Sequence, residues 1–276
     1  MKIAIIVSCF NRKAMTQRCL AQLYQQATEY TEHSFIFFIH DDASTDGTQE
    51  MIIRDFPNAR LMRSQGGLYW CKSMHRAMEE ATVKGEFDLY LMINDDVDFE
   101  DNALAIMLHS YKIASKPCAI VGATKKTLSS EVSYGGRTKE GQLIVPNKEL
   151  QRCMWANWNC FLVDREVVNK VGIIDGKYQH SWGDFDYSFR MGKKDYPIYL
   201  ATDYIGKCDN NCVEGTFRDK KLGKRKQLQK LFSPKGVPFY SYMRYHMRVQ
   251  GKIGFLKYLY GYLSIIGYIV LGKTLK

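Results

Sequence analysis

Three short clusters hold the residues best suited to chemistry. Asn94-Asp95-Asp96, with Asp98 close behind, is dense in oxygen ligands. Mg2+ and Mn2+ favour such hard ligands, take one or two from protein, and fill the rest of their shell with water and substrate phosphate. A cation held there would offset the charge that grows on a departing diphosphate. The same turn can equally be structural. Asp41-Asp42 is a second carboxylate pair, and Asp42 could accept from a uracil or thymine N–H or from a ribose hydroxyl. Asp46 and Thr48 read instead as caps for the helix that follows. The third cluster is His180-Ser181-Trp182-Gly183-Asp184-Phe185-Asp186. Asp184 could accept the proton of an attacking hydroxyl, Trp182 offers a flat face to a sugar, and Gly183 lets backbone approach closely. Asp186 and Arg190 stand at the i,i+4 spacing of a helical ion pair. Both acids could also be no more than charges at a helix N-terminus.

What positions these clusters is a βα alternation. Residues 3–7, 34–40, 59–63, 89–93, 119–123, 160–163 and 197–201 read as strands. Residues 14–27, Thr48–Asp55, Tyr69–Lys84 and Arg165–Val171 read as helices, and 124–150 as an insertion or hairpin. Alternation of this kind predicts an α/β fold with a mostly parallel central sheet flanked by helices. Two of the acidic clusters fall just past strand C-termini, where open α/β sheets place their ligands.

With the sites in this order, the sequence resembles family 2 glycosyltransferases of the GT-A (Rossmann-like) fold. The likeness is carried by residues 5–12 (IIVSCFNR), 39–48 (IHDDASTDGT), 91–98 (LMINDDVD), 159–175 (NCFLVDREVVNKVGIID) and 182–190 (WGDFDYSFR), and spans roughly residues 3–205. It implies that Ser8 and Asp42 help bind the nucleotide base, with Asn11 and Arg12 shaping the loop around it. It implies that Asn94 and Asp96 occupy the two ends of the family's D-x-D, with Asp96 the main metal and ribose–phosphate contact; the residues themselves add Asp95 and Trp182 as candidate donor contacts and Asp98 as a candidate metal ligand. It further implies that Asp184 is the base of a one-step, inverting displacement, with Mn2+ or Mg2+ as cofactor. Two departures stand out: Asn94 replaces the usual first acid, and Gly183 replaces the glutamate that often precedes the base. The stretch 206–236 is similar to the tail of bacterial polysaccharide-assembly transferases, rhamnosyltransferase-like in kind. A UDP- or dTDP-sugar donor and a glycan or lipid-linked acceptor are the expected partners.

The 276 residues suit a catalytic domain over 1–205 and a basic, aromatic helical extension over 206–276. That extension holds 15 Lys+Arg against 3 Asp+Glu, so its charge of +12 exceeds the whole chain's +10 and leaves the body near neutral. An anionic surface is the implied partner. Residues 253–271 are aliphatic and aromatic, with Lys252 and Lys273 at the ends; tyrosines and lysines suit the headgroup level of a membrane. A helix packed on the protein's own core fits the same residues. Eight scattered cysteines without a C-x-x-C pair, and an N-terminal apolar run too short for a signal peptide, suggest a reducing compartment. The expected location is the cytoplasmic face of the cell membrane.

Rival classes fit less well. Residues 8–12 contain no glycine, which argues against a nicotinamide site or a nucleotidyltransferase loop, and no phosphate-loop ending is present. A nucleic-acid- or polyanion-binding module could use the basic tail, but the acidic strand ends would repel phosphate, so no nucleic-acid partner is expected. A transferase-like chain without activity is the other alternative. Oligomeric state is silent in the sequence.

Overall fold

The computed structural model describes residues 1–271; Lys273 lies outside them. The chain opens with β1 (Lys2–Cys9), α1 (Lys13–Thr28), β2 (Ser34–Asp41), α2 (Thr48–Asp55), β3 (Arg60–Arg63), α3 (Tyr69–Lys84) and β4 (Leu89–Asn94). These strands pair in parallel in the order β3-β2-β1-β4. Then follow β5 (Asp98–Phe99), α4 (Ala103–Ile113), β6 (Ala119–Lys125), β7 (Val132–Tyr134), β8 (Gly136–Arg137), β9 (Gln151–Cys153), β10 (Trp155–Ala156), β11 (Cys160–Asp164), α5 (Arg165–Val171), α6 (Gly183–Gly192) and β12 (Ile198–Lys207). Strand β11 enters antiparallel between β4 and β6, and β12 lies parallel to β6. The expected α/β fold with a mostly parallel sheet is present.

The pleat divides the core in two. Ile3, Ile5 and Val7 of β1 face a layer with Leu20 and Leu23 of α1 and Met107 of α4. Ala4 and Ile6 face the other side, with Met74 and Met78 of α3, Val167 of α5 and Tyr187 of α6. Strand side chains alternate between faces, so an unbroken apolar strand such as β1 must be covered by helices on both. Register then fixes the chemistry: Ser8 of β1 pairs with His40 of β2 on one side and Asn94 of β4 on the other. The three strand ends, and the acidic turns after them, therefore share one edge.

The segment 124–150 forms a short flap rather than one hairpin. Strand β7 returns along β6, while β8 leaves the sheet to pair with β10. Strand β12 runs six residues beyond the predicted 197–201 and meets β5 through Gly206 and Lys207. A Cβ on Gly206 would lie 2.4 Å from the Asp98 carbonyl oxygen, so only glycine permits that crossing.

The chain ends in α7 (Lys224–Leu231), α8 (Phe239–Gln250) and α9 (Lys252–Leu271). Leu231, Val237, Tyr258, Tyr262 and Ile269 form a small core of their own. Helix α9 thus packs one face inward on protein, while Leu256 (66% exposed) and Leu263 (58%) point out.

Candidate active site

The first turn of α3 gathers the clusters. The Asp42 carboxylate accepts from the Ser64 hydroxyl (2.6 Å) and from the backbone N–H groups of Leu68 (3.1 Å) and Tyr69 (2.9 Å). It therefore seats the N-terminus of α3, where unpaired N–H groups favour a negative charge. One residue on, the Trp70 indole N–H donates to Asn94 Oδ1 at 2.7 Å. The next residue, Cys71, accommodates Gly183, where a Cβ would lie 2.3 Å from its sulfur. The β2, β4 and α6 clusters thus meet three consecutive residues of one helix.

Loop conformations around this edge are unusual. Six described non-glycine residues have positive φ, and four of them, Asn11, Ala43, Tyr69 and Trp182, sit in these loops. Such conformations cost free energy and need surrounding structure to hold them. Asn11 is held on both sides: its N–H donates to Ser44 Oγ (2.9 Å) and its Oδ1 accepts from Thr45 N–H (2.7 Å). Asp46 accepts from the backbone N–H groups of Lys13 (2.9 Å) and Thr48 (3.1 Å) and so ties the starts of α1 and α2 together, but the N-cap positions are Arg12 and Gly47, and Thr48 is the first residue of α2 rather than its cap.

The turn after β4 places its acids unequally. Asp95 is buried, accepts from Thr16 Oγ1 (3.0 Å) and faces Arg12 (3.3 Å). Burial, with some repulsion from Asp96, pushes its carboxyl up to about 6 despite Arg12. The Asp96 side chain is 24% exposed and pairs with the same guanidinium at 2.7 Å. Burial works against the Arg12 charge, but the two acids outweigh it and raise its pKa. Asp98 is not brought to this group: its carboxylate accepts from Gln22 (2.9 Å) and pairs with Arg18 (3.3 Å) on α1. Crossing to meet β12 turns β5, and Asp98 with it, toward that helix.

Among the described residues no group of three or more His, Cys, Asp or Glu is arranged to hold a metal. Asp96 is a partly open carboxylate, and Asn94 Oδ1 keeps a second lone pair beside its bond from Trp70. One or two protein oxygens suit Mg2+ or Mn2+ when a diphosphate supplies others. The donor set fits such an ion, with Arg12 as its competitor for Asp96.

Asp184 is the second residue of α6, whose N-cap, Trp182, has a φ of 81°. Burial pushes its carboxyl up to about 6, against the N–H of Phe185, the Asn157 side chain and Arg137, which favour the charged form. Arg137 donates to Asn157 Oδ1 at 3.2 Å and to the Gly141 carbonyl at 2.8 Å. An open cavity of about 310 Å³ adjoins, lined by Arg137, Lys139, Trp155, Trp182, Phe185 and Tyr245. Trp182 also packs on Tyr245 and Tyr242 of α8, with ring centroids 4.9 and 5.4 Å apart. Asp186 is fully buried and pairs with Arg190 at 2.9 Å, as its spacing predicts, and with Arg248 of α8 at 2.8 Å.

Sequence reasoning missed several contributors. Trp70, Asn157 and Arg137 lie outside any acidic motif, and only their spatial partners reveal them. Burial above all, and then the charges of Lys235, in the turn before α8, and of Arg12, lower the His180 pKa to about 4. The basic extension therefore brings a cation near the donor-side loops.

The profile described as Glycosyl transferase family 2 matches residues 4–172, more than half the chain. No curated protein matches the sequence. Solved structures of similar fold include S. aureus TarS 1–349 (13% identity, TM-score 0.53), covering 99% of this chain and 76% of that one. The same TarS fragment with UDP-GlcNAc gives 14% identity and a TM-score of 0.57 over 97% of this chain and 75% of that one. The mannosyltransferase PcManGT from Pyrobaculum calidifontis, in complex with GDP-Man and Mn2+, gives 14% and 0.54, covering 99% and 76%. At such identity the structures speak for the fold, and the profile speaks for the family: this chain belongs to glycosyl transferase family 2.

Proposed function

We propose that the chain is an inverting, metal-dependent transferase. It moves a hexosyl or deoxyhexosyl group, rhamnose among the candidates, from a UDP- or dTDP-sugar to a glycan or lipid-linked acceptor in cell-surface polysaccharide synthesis. The observation that carries this reading is the α3 hub, which holds the Asp42, Asn94 and Gly183-Asp184 segments against Tyr69, Trp70 and Cys71. UDP-GlcNAc in one structure of similar fold, and GDP-Man with Mn2+ in another, support a nucleotide-sugar donor and a divalent ion.

In this reading Ser8, Asn11 and Asp42 border the base and ribose, and Arg12, Asp95 and Asp96 face the diphosphate. Asp96 and the Asn94 carbonyl would hold Mn2+ or Mg2+, whose positive charge would stabilise the leaving diphosphate. Trp182 offers its face to the sugar being transferred beside the adjoining cavity, and Asp184 takes the acceptor's hydroxyl proton as that oxygen attacks the anomeric carbon. The bond from that carbon to the diphosphate oxygen breaks, and its electron pair leaves with the nucleoside diphosphate. A single displacement inverts the centre.

Thermal shift against UDP, dTDP, GDP, CMP and NAD, each with and without Mn2+, tests this. A ligand at a hundredfold excess over Kd stabilises the native state by about 2.7 kcal/mol. The expected result is a Mn2+-dependent shift with UDP or dTDP that Asp96→Ala removes. A chain that shifts with no nucleotide, yet binds single-stranded oligonucleotides with steep salt dependence, would be a polyanion-binding module instead.

A further inference from the structure

We propose that the outward face of α9 seats on an anionic phospholipid surface. The helix is apolar over most of its circumference, with Lys252 and Lys257 its two charges. Gly254, Tyr258, Tyr262 and Ile269 form its inward stripe, and a Cβ on Gly254 would lie 2.0 Å from the His246 carbonyl oxygen of α8. Opposite them, Leu256, Leu263 and Val270 recur at spacings of seven, and Ile253 and Leu271 flank them, all exposed. An exposed apolar stripe of this length marks a surface that meets something else.

Length and composition alone would let α9 cross a membrane: it is 20 residues long, with a mean hydropathy of 1.4 over its most apolar 18. Its inward stripe, however, is engaged with α7 and α8 in a shared core. The helix therefore lies on the bilayer rather than through it.

Charge selects lipid over a second copy of the chain. The extension carries 15 Lys+Arg against 3 Asp+Glu, among them Lys252 and Lys257 on α9 and Lys224, Arg225, Lys226 and Lys230 on α7. Two such ends placed face to face would repel, whereas an anionic leaflet attracts both. Exposed Tyr240 and Tyr268 suit the headgroup level.

The surface is tied to the cavity beside Asp184. Arg244 of α8 pairs with Asp175 at 2.7 Å, Arg248 pairs with Asp186, and Tyr245 of the same helix lines that cavity. Resting on the transferase reading, lipid docking then holds the acceptor cavity at a fixed height above the leaflet.

Co-sedimentation with vesicles tests the surface directly. Vesicles of phosphatidylcholine with phosphatidylglycerol should bind the full chain at least about tenfold more tightly than phosphatidylcholine alone. Leu256→Glu with Leu263→Glu, both on exposed positions, should weaken that binding at least about tenfold while leaving the melting temperature and the nucleotide-induced shift unchanged. Absent binding by the wild-type chain, or equal binding by the variant, overturns the proposal. So does sedimentation velocity showing a wild-type dimer that the variant dissociates while vesicles are ignored. If no nucleotide stabilises the wild-type chain, the transferase reading fails while a positive vesicle result stands.

Discussion

At the scale of single residues, Asp184 sets the pH range in which the chain can work. Its carboxyl is pushed up to about 6 by burial. Above that pH it is a carboxylate able to take a proton; below it the group is already protonated. The rate should therefore fall about tenfold per pH unit on the acid side of pH 6. An unburied aspartate would hold its charge about two units lower. Asp184→Asn should lower kcat by about 10²–10⁴-fold and keep the nucleotide-induced thermal shift, since the change removes the base and leaves the donor loops intact. Arg137 acts on Asp184 by its own charge and through Asn157: by donating to Oδ1 it turns the amide so that its NH2 faces Asp184. Arg137→Met should move the acid limb upward in pH, and Arg137→Lys should restore part of the shift. An unchanged limb in Arg137→Met would reduce Arg137 to a support for the Gly141 turn.

At the scale of elements, the ion-pair cluster on Asp186 joins the two halves of the chain. Asp186 itself lies fully buried and accepts from Tyr178 as well as from Arg190 and Arg248, whose side chains are 20% and 28% exposed. Asp186→Asn leaves two guanidinium groups facing a neutral amide, and removing one partner from such a cluster costs about 3–5 kcal/mol. The midpoint of urea unfolding should drop accordingly, whereas Arg248→Met, which keeps the Arg190 pair, should cost less. Half of this cluster was legible beforehand: Asp186 and Arg190 sit four apart on a helical pattern, but nothing in the chain announces a partner 62 residues on. The same limit runs through the fold. Helices α2, α3 and α5 fall where the strand–helix alternation predicts them. Helix α4 was not, because Ala103–Ile113 is apolar at most positions and yields no stripe. The acidic turns were legible because strand ends mark them. The α3 hub was not, since Trp70 and Cys71 look like ordinary core residues until β4 and α6 are folded against them.

At the scale of the whole molecule, a near-neutral catalytic body carries a strongly basic end whose outermost helix is apolar. The two features predict different responses to salt. Raising ionic strength from about 0.1 to about 1 M shortens the screening length from about 10 to about 3 Å. Attraction between the Lys and Arg side chains and an anionic leaflet should fall with it, whereas burial of Leu256, Leu263 and Val270 is not electrostatic and should persist. Vesicle affinity should therefore decline at least about tenfold across that range and then level off above zero, rather than vanish. In Leu256→Glu with Leu263→Glu the residual high-salt binding should disappear while the low-salt slope remains. Binding that is insensitive to salt in the wild-type chain would mean that the +12 end serves solubility alone, with the apolar stripe doing all the docking. Binding that vanishes completely at high salt would mean that the stripe never reaches the acyl boundary.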